Sequence, residues 1–122
     1  MLVRGIRGAT TVEANAREDI LDATRELLTA ILEANRVEHD LVASIVFSTS
    51  PDLNAEFPAV AARELGWTDV ALSCFHEMGV PGSLPKCLRI LMTVNTDLAL
   101  GEVKHIYLRG ARALRPDLVG EE

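Results

Sequence analysis

The chain has 122 residues, 48% of them hydrophobic and 25% charged, which fits one globular domain over residues 1–122 with a single core. Its formal charge of -6, from 12 Lys+Arg against 18 Asp+Glu, excludes a general nucleic-acid binder with a basic face but leaves room for a local cationic pocket. Cys74 and Cys87 are the only cysteines, no secretion signal precedes Arg4 and Gly5, and no apolar run approaches the ~20 residues that span a bilayer. A reduced, cytoplasmic protein is therefore expected, and its small size makes self-association plausible.

Leu2 to Thr11 predicts a strand weakened by Gly5 and Gly8, with Arg4 and Arg7 on opposite faces. Asn15 to Asn35 predicts a long amphipathic helix whose buried stripe is Ile20, Leu21, Thr24, Leu27, Leu28, Ile31 and Leu32. Asn15 with Glu18 matches a capping box, and Asn35 suits the C-terminal stop. Leu41 to Thr49 reads as a buried strand closed by the turn Ser50-Pro51-Asp52. Phe57-Pro58 opens a short helix that stops at Gly66. Val70 to Phe75 is the next strand, then Gly79, Pro81, Gly82 and Pro85 break the chain before a strand at Cys87 to Val94. Asn95 to Gly101 is a connection. Val103 to Arg109 predicts a last strand, with Val103, His105, Tyr107 and Arg109 on one side and Lys104, Ile106 and Leu108 on the other. A tail that should fray begins at Arg115-Pro116-Asp117. The sum is α+β: a mixed β-sheet with one long helix over one face.

Arg89 is the residue that composition and pattern leave unexplained. Its neighbours Leu88, Ile90, Leu91, Met92 and Val94 are a poor environment for an unpaired cation, so Arg89 either meets a carboxylate such as Glu77 or awaits an anion. Arg7, Arg63, Arg109 and Arg115 also lie in or beside apolar segments, and a guanidinium grips a carboxylate with two parallel hydrogen bonds that lysine cannot copy. For Arg4, Arg17 and Arg36 a solvated or locally paired side chain suffices. Cys74, His76, Cys87 and His105 are a soft ligand set, but they lack the close paired spacing of structural zinc sites, so no metal is expected. Ser83-Leu-Pro-Lys86 fits S-x-x-K without the companion motifs that make it catalytic, and Gly5-Ile-Arg-Gly8 does not join a strand to a helix as dinucleotide sites require.

In this order, the residues resemble the AroH class of monofunctional chorismate mutases. The matching stretches are Arg4-Gly-Ile-Arg-Gly-Ala-Thr-Thr-Val-Glu13, Ser50-Pro-Asp-Leu-Asn-Ala-Glu-Phe-Pro-Ala59, Ala62-Arg-Glu-Leu65, Cys74 with Glu77-Met78, Lys86-Cys-Leu-Arg89, Met92-Thr-Val-Asn-Thr-Asp97 and Leu114-Arg-Pro-Asp-Leu118. The resemblance implies a homotrimer with a barrel-like core, sites at subunit interfaces, and rearrangement of chorismate to prephenate without cofactor or metal. It implies substrate contacts from Arg7, Arg63, Cys74, Glu77, Arg89, Tyr107, Leu114 and Arg115, with Phe57, Ala59, Leu72 and Ser73 lining the pocket. Val60 stands where some relatives place a lysine, and Ser73 where relatives carry a threonine.

The reaction breaks an ether C–O bond while a C–C bond forms, so it needs no acid, base or nucleophile. The expected tasks are to hold a flexible dianion in its reactive conformer and to stabilise charge on the ether oxygen. Arg7, with Arg63 and Arg115, is expected to clamp carboxylates; Tyr107 adds a hydrogen bond, and Arg89 faces the oxygen. Cys74 and Glu77 are expected to hold the ring hydroxyl, Glu77 also orienting Arg89. Three residues apart, they require the strand to bend or end before Glu77. The rival readings are an imine deaminase on a similar trimeric scaffold and a non-catalytic anion-binding module.

Overall fold

The computed structural model describes residues 1–114 and opens with β1 (Leu2–Thr11), at the predicted bounds. β1 runs so close to α1 (Arg17–Ala34) that a Cβ on Gly8 would stand 2.6 Å from Ile31 Cδ1 and 3.0 Å from Leu27 Cδ1. Both side chains are fully buried, so only glycine lets the strand and helix pack this tightly. The predicted apolar stripe of α1 is buried apart from Leu32, which is half-buried.

The predicted capping box does not form. The residue that caps α1 is Ala16, and no side chain bonds to its first turn. Asn15 instead accepts hydrogen bonds from the backbone N–H groups of Asn54 and Ala55, both at 3.0 Å, and donates to Asn54 Oδ1 at 2.8 Å. The loop before the next helix offers Asn15 more partners than its own helix does, so a cap residue becomes a tether. Asn35 does end the helix, as predicted.

A short 3₁₀ turn (His39–Leu41) leads into β2 (Val42–Thr49). Then come α2 (Ala59–Glu64), β3 (Ala71–His76) and β4 (Cys87–Thr96). Gly66, at φ 100, turns the chain out of α2 as the sequence predicts. The sheet order is β3-β2-β4-β1-β5, with β5 (Ile106–Tyr107) at one edge. β4 runs antiparallel to both β1 and β2, while β1/β5 and β2/β3 are parallel pairs.

The two faces of this sheet differ. Ile6, Ile45, Phe47, Leu88, Ile90, Met92 and Val94 point to one side and form the core with the helices. The alternate residues, among them Arg7, Val46, Ser48, Phe75, Arg89 and Leu91, point to the other, which no helix covers. Phe75 is 60% exposed there and Leu91 46%.

The predicted Val103–Arg109 strand shrinks to two residues, Ile106 in the main core and Tyr107 in a second cluster with Ala9, Cys87 and Ala111 as alternation requires, but Val103 packs on the main core with Ile106 and Leu108 and breaks the pattern. The cause lies 69 residues away. Buried Asn35 donates to the Lys104 carbonyl at 2.9 Å and accepts the Lys104 N–H at 2.8 Å. Those backbone groups are no longer free to pair with β1. Arg109 then leaves the strand at φ 51, and its side chain meets Glu26 at 3.1 Å, so it is not an anion-site arginine.

Candidate active site

Strand register builds the site. Arg89 pairs with Ser48 on β2 and with Ala9 on β1; Ser48 pairs with Phe75, and Ala9 with Tyr107. One row therefore runs Phe75–Ser48–Arg89–Ala9–Tyr107 across all five strands. Directly opposed residues share a face, so the row sets Arg89 on the uncovered side, away from its apolar neighbours Leu88 and Ile90. The sequence reading placed Arg89 in a greasy strand; the pleat places it above one.

A cleft of about 390 Å³ opens on this face, lined by Arg7, Ser48, Phe75, Glu77, Arg89 and Tyr107 among others. β3 ends at His76, as the expectation for Glu77 required, though the Glu77 N–H still donates to the Thr49 carbonyl at 2.8 Å. The Ser48 hydroxyl donates a short hydrogen bond to one Glu77 oxygen. The other oxygen stands 4.0 Å from Arg89 Nε, too far for a hydrogen bond. Arg89 Nε is itself buried and has no hydrogen-bond partner among the described residues. Glu77 is thus close enough to orient the guanidinium by charge, while the Nε–H remains available to another acceptor.

The other expected residues fall elsewhere. Cys74 points toward the core side of β3, where burial pushes its thiol pKa up and the Ala59 N–H and the Arg63 charge only partly oppose this. It is a neutral thiol, unsuited to nucleophilic attack. Leu72 packs against the main core and Ala59 is buried at the start of α2. Phe57, Arg63 and Ser73 are exposed, Ser73 on the uncovered face beside Val46. Leu114 packs on the cluster containing Tyr107. Arg115 lies outside the described residues. Within one chain, therefore, Arg7, Glu77, Arg89 and Tyr107 converge, whereas Cys74, Ala59 and Arg63 do not join them.

Sequence reasoning missed Ser48, which only register brings to Glu77. It also missed the role of Asp52, whose oxygens accept the Ser50 hydroxyl and the Lys86 N–H at 2.9 Å and so fix the start of β4 two strand positions before Arg89. The soft ligand set disperses: His76 donates to the Leu53 carbonyl at 3.1 Å, Cys87 packs beside Ala9, and His105 bonds to β1. Among the described residues no three His, Cys, Asp or Glu side chains form a metal-binding group. Ser83 donates to the Val80 carbonyl at 2.6 Å, a turn contact. No helix among the described residues is long and apolar enough to cross a membrane.

Comparison with known proteins points to one family. The family model described as chorismate mutase type I matches residues 3–118. The chain is 49% identical to chorismate mutase AroH of Bacillus subtilis, over 97% of this chain and 94% of that one. It is also 49% identical to chorismate mutase AroH of Thermus thermophilus, over 96% and 97%. A solved chorismate mutase from Clostridium thermocellum superposes with a TM-score of 0.89 at 49% identity, covering 90% of this chain and 98% of that chain.

Proposed function

The chain belongs to the chorismate mutase type I family, and from that premise we propose how its own side chains carry the reaction. The activity is the rearrangement of chorismate to prephenate in aromatic amino acid biosynthesis. The observation that carries the mechanism is the buried, unpartnered Nε of Arg89 on the floor of the cleft, with Glu77 at 4.0 Å. As the ether bond breaks, negative charge grows on its oxygen, and a fixed guanidinium N–H is the donor this charge needs. Because Glu77 is held by Ser48, the cation has little freedom to reorganise during the reaction.

Arg7 clamps a carboxylate at the cleft wall, Tyr107 contributes at its inner edge, and Glu77 receives the ring hydroxyl. The site is completed by a second copy of the chain in a homotrimer. That copy supplies Cys74, Ala59 and Arg63, with Phe57, Leu72 and Ser73 around them, and Leu114 and Arg115 are the remaining substrate contacts. The support is twofold: Cys74, Ala59 and Arg63 sit apart from the cleft of their own chain, and the cleft face exposes Val3, Phe75 and Leu91. An apolar sheet face of that kind is where a second copy would dock. Val60 presents no cation where some relatives carry lysine, so capture of the dianion relies on the arginines.

Following the absorbance of chorismate with purified protein tests the reading. Steady loss with one equivalent of prephenate formed supports it. Binding without turnover, or turnover that releases ammonia from an imine and leaves chorismate intact, overturns it.

A further inference from the structure

Arg7 must be held at a set height on the cleft wall if it is to clamp a carboxylate, yet its strand neighbour on that side is missing. Ala9 accepts the Leu108 N–H at 2.9 Å, and Gly8 and Ala9 pair in parallel with Ile106 and Tyr107. Continued by two residues, this ladder would send the Arg7 N–H to the Lys104 carbonyl. That carbonyl is already taken by the Asn35 side chain at 2.9 Å. The Arg7 N–H goes instead to His105 Nδ1, at 3.0 Å. An imidazole nitrogen accepts only when it carries no proton. The side chain of His105 therefore replaces the backbone acceptor that the strand lost.

We propose that His105 is a positioning residue for the reaction: neutral at Nδ1, it anchors the Arg7 backbone and so sets substrate affinity, and its protonation releases Arg7. The inference rests on the role given above to Arg7. Once the imidazole is protonated at Nδ1 it can no longer accept, and the anchor is lost. A protonated Nδ1 would point a donor at the Arg7 donor. Among the described residues, the charged groups lining the adjoining cleft are the Met1 amino group, Glu33 of α1, Arg36 and Glu38 beyond it, Asp97 after β4, Glu102, and Lys104 beside the histidine. Asp97 is 4.0 Å from the Met1 amino group. Arg7 itself lies on β1.

Three proteins separate the outcomes: the natural chain, His105→Ala and His105→Asn. The asparagine Oδ1 stands close to where Nδ1 stands and accepts without titrating. At pH 8, His105→Ala raises KM for chorismate about threefold to tenfold with kcat little changed, the effect of losing one hydrogen bond. His105→Asn restores KM and removes the acid rise in KM that the natural chain shows. Hydrogen exchange at the Arg7 amide gives a readout independent of activity: protection falls with acid in the natural chain, is lost in His105→Ala, and persists through acid in His105→Asn. Equal exchange at Arg7 in all three overturns the proposal. If exchange behaves as expected but KM does not follow, the anchor stands as structure and its link to the reaction is overturned. Absence of turnover in the natural chain would instead count against the mutase mechanism.

Discussion

Arg89 carries its charge on a guanidinium whose Nε is cut off from water and has no acceptor among the described residues, a state that costs free energy until an anion arrives. Its outer nitrogens reach solvent, since the side chain is 40% exposed, and this tempers the cost. The same geometry gives the donor its value in catalysis, because it needs no rearrangement to meet the ether oxygen. Replacing Arg89 by citrulline keeps shape and removes charge. It should lower kcat by about 10²–10³-fold, roughly 2.7–4 kcal/mol of transition-state stabilisation, while circular dichroism and Tm stay near those of the natural protein. A near-normal kcat would remove the assignment. Cys74, three residues before Glu77, was legible as a site candidate; β3 does end before Glu77, as period-two alternation requires if both are to serve one site, yet Cys74 stays on the core side, and in the proposed trimer a second copy supplies it.

Among elements, β4 begins where it does because Ser50 and Asp52 hold Lys86 and Cys87. The Cys87 N–H donates to Ser50 Oγ at 2.9 Å, and Asp52 accepts from Lys86. The Ser50 hydroxyl bond, more than any other influence, holds the Asp52 carboxyl below its usual pKa. A carboxyl depressed in the folded state adds stability above the unfolded carboxylate range, and this is lost as pH falls through the folded value. Below about pH 4, then, Asp52 contributes to acid unfolding. Asp52→Asn should be less stable than the natural chain at pH 7, and the difference should narrow in acid, as denaturant titrations at both pH values will report. β5 teaches the complementary lesson. Truncating Asn35 to alanine leaves Lys104 backbone groups unsatisfied and should cost about 1–3 kcal/mol in urea unfolding, far more than an exposed helix-end change would. A loss below about 0.5 kcal/mol would mean that Asn35 does not hold β5 in place.

At the level of the whole molecule, one sheet face is buried under α1 and α2 and the other is left with Phe75, Leu91 and the cleft in view. The proposed trimer explains both the exposed apolar side chains and the division of the site residues. It makes a mixing experiment decisive. Citrulline at 89 inactivates the cleft half, and Arg63→Ala weakens the half supplied by the neighbour. Refolding the two inactive proteins together should restore activity, because some interfaces then combine two intact halves. In a mixture of equal parts, roughly a quarter of the interfaces would do so if subunits assort at random and every site sits between two copies. No recovery, with assembly confirmed by light scattering, would mean that each chain carries its site alone.

The sequence by itself determined the bounds of β1, the stripe and stop of α1, the stop of α2 at Gly66 and the family, because strand and helix periods and terminating residues are local signals. It also singled out Arg89 and Arg7, since a charge in an apolar run needs a reason, and Glu77 as a carboxylate that Arg89 could meet. Tertiary structure alone decided which residues meet. The row Phe75–Ser48–Arg89–Ala9–Tyr107 depends on the register of five strands, and periodicity tells a residue's face but not its neighbour. It also decided that Asn15 would tether a loop rather than cap its helix, and that Asn35 would take the backbone of Lys104 and leave His105 to serve Arg7. Those choices turn on competition among hydrogen-bond partners distant in sequence, which no local pattern records.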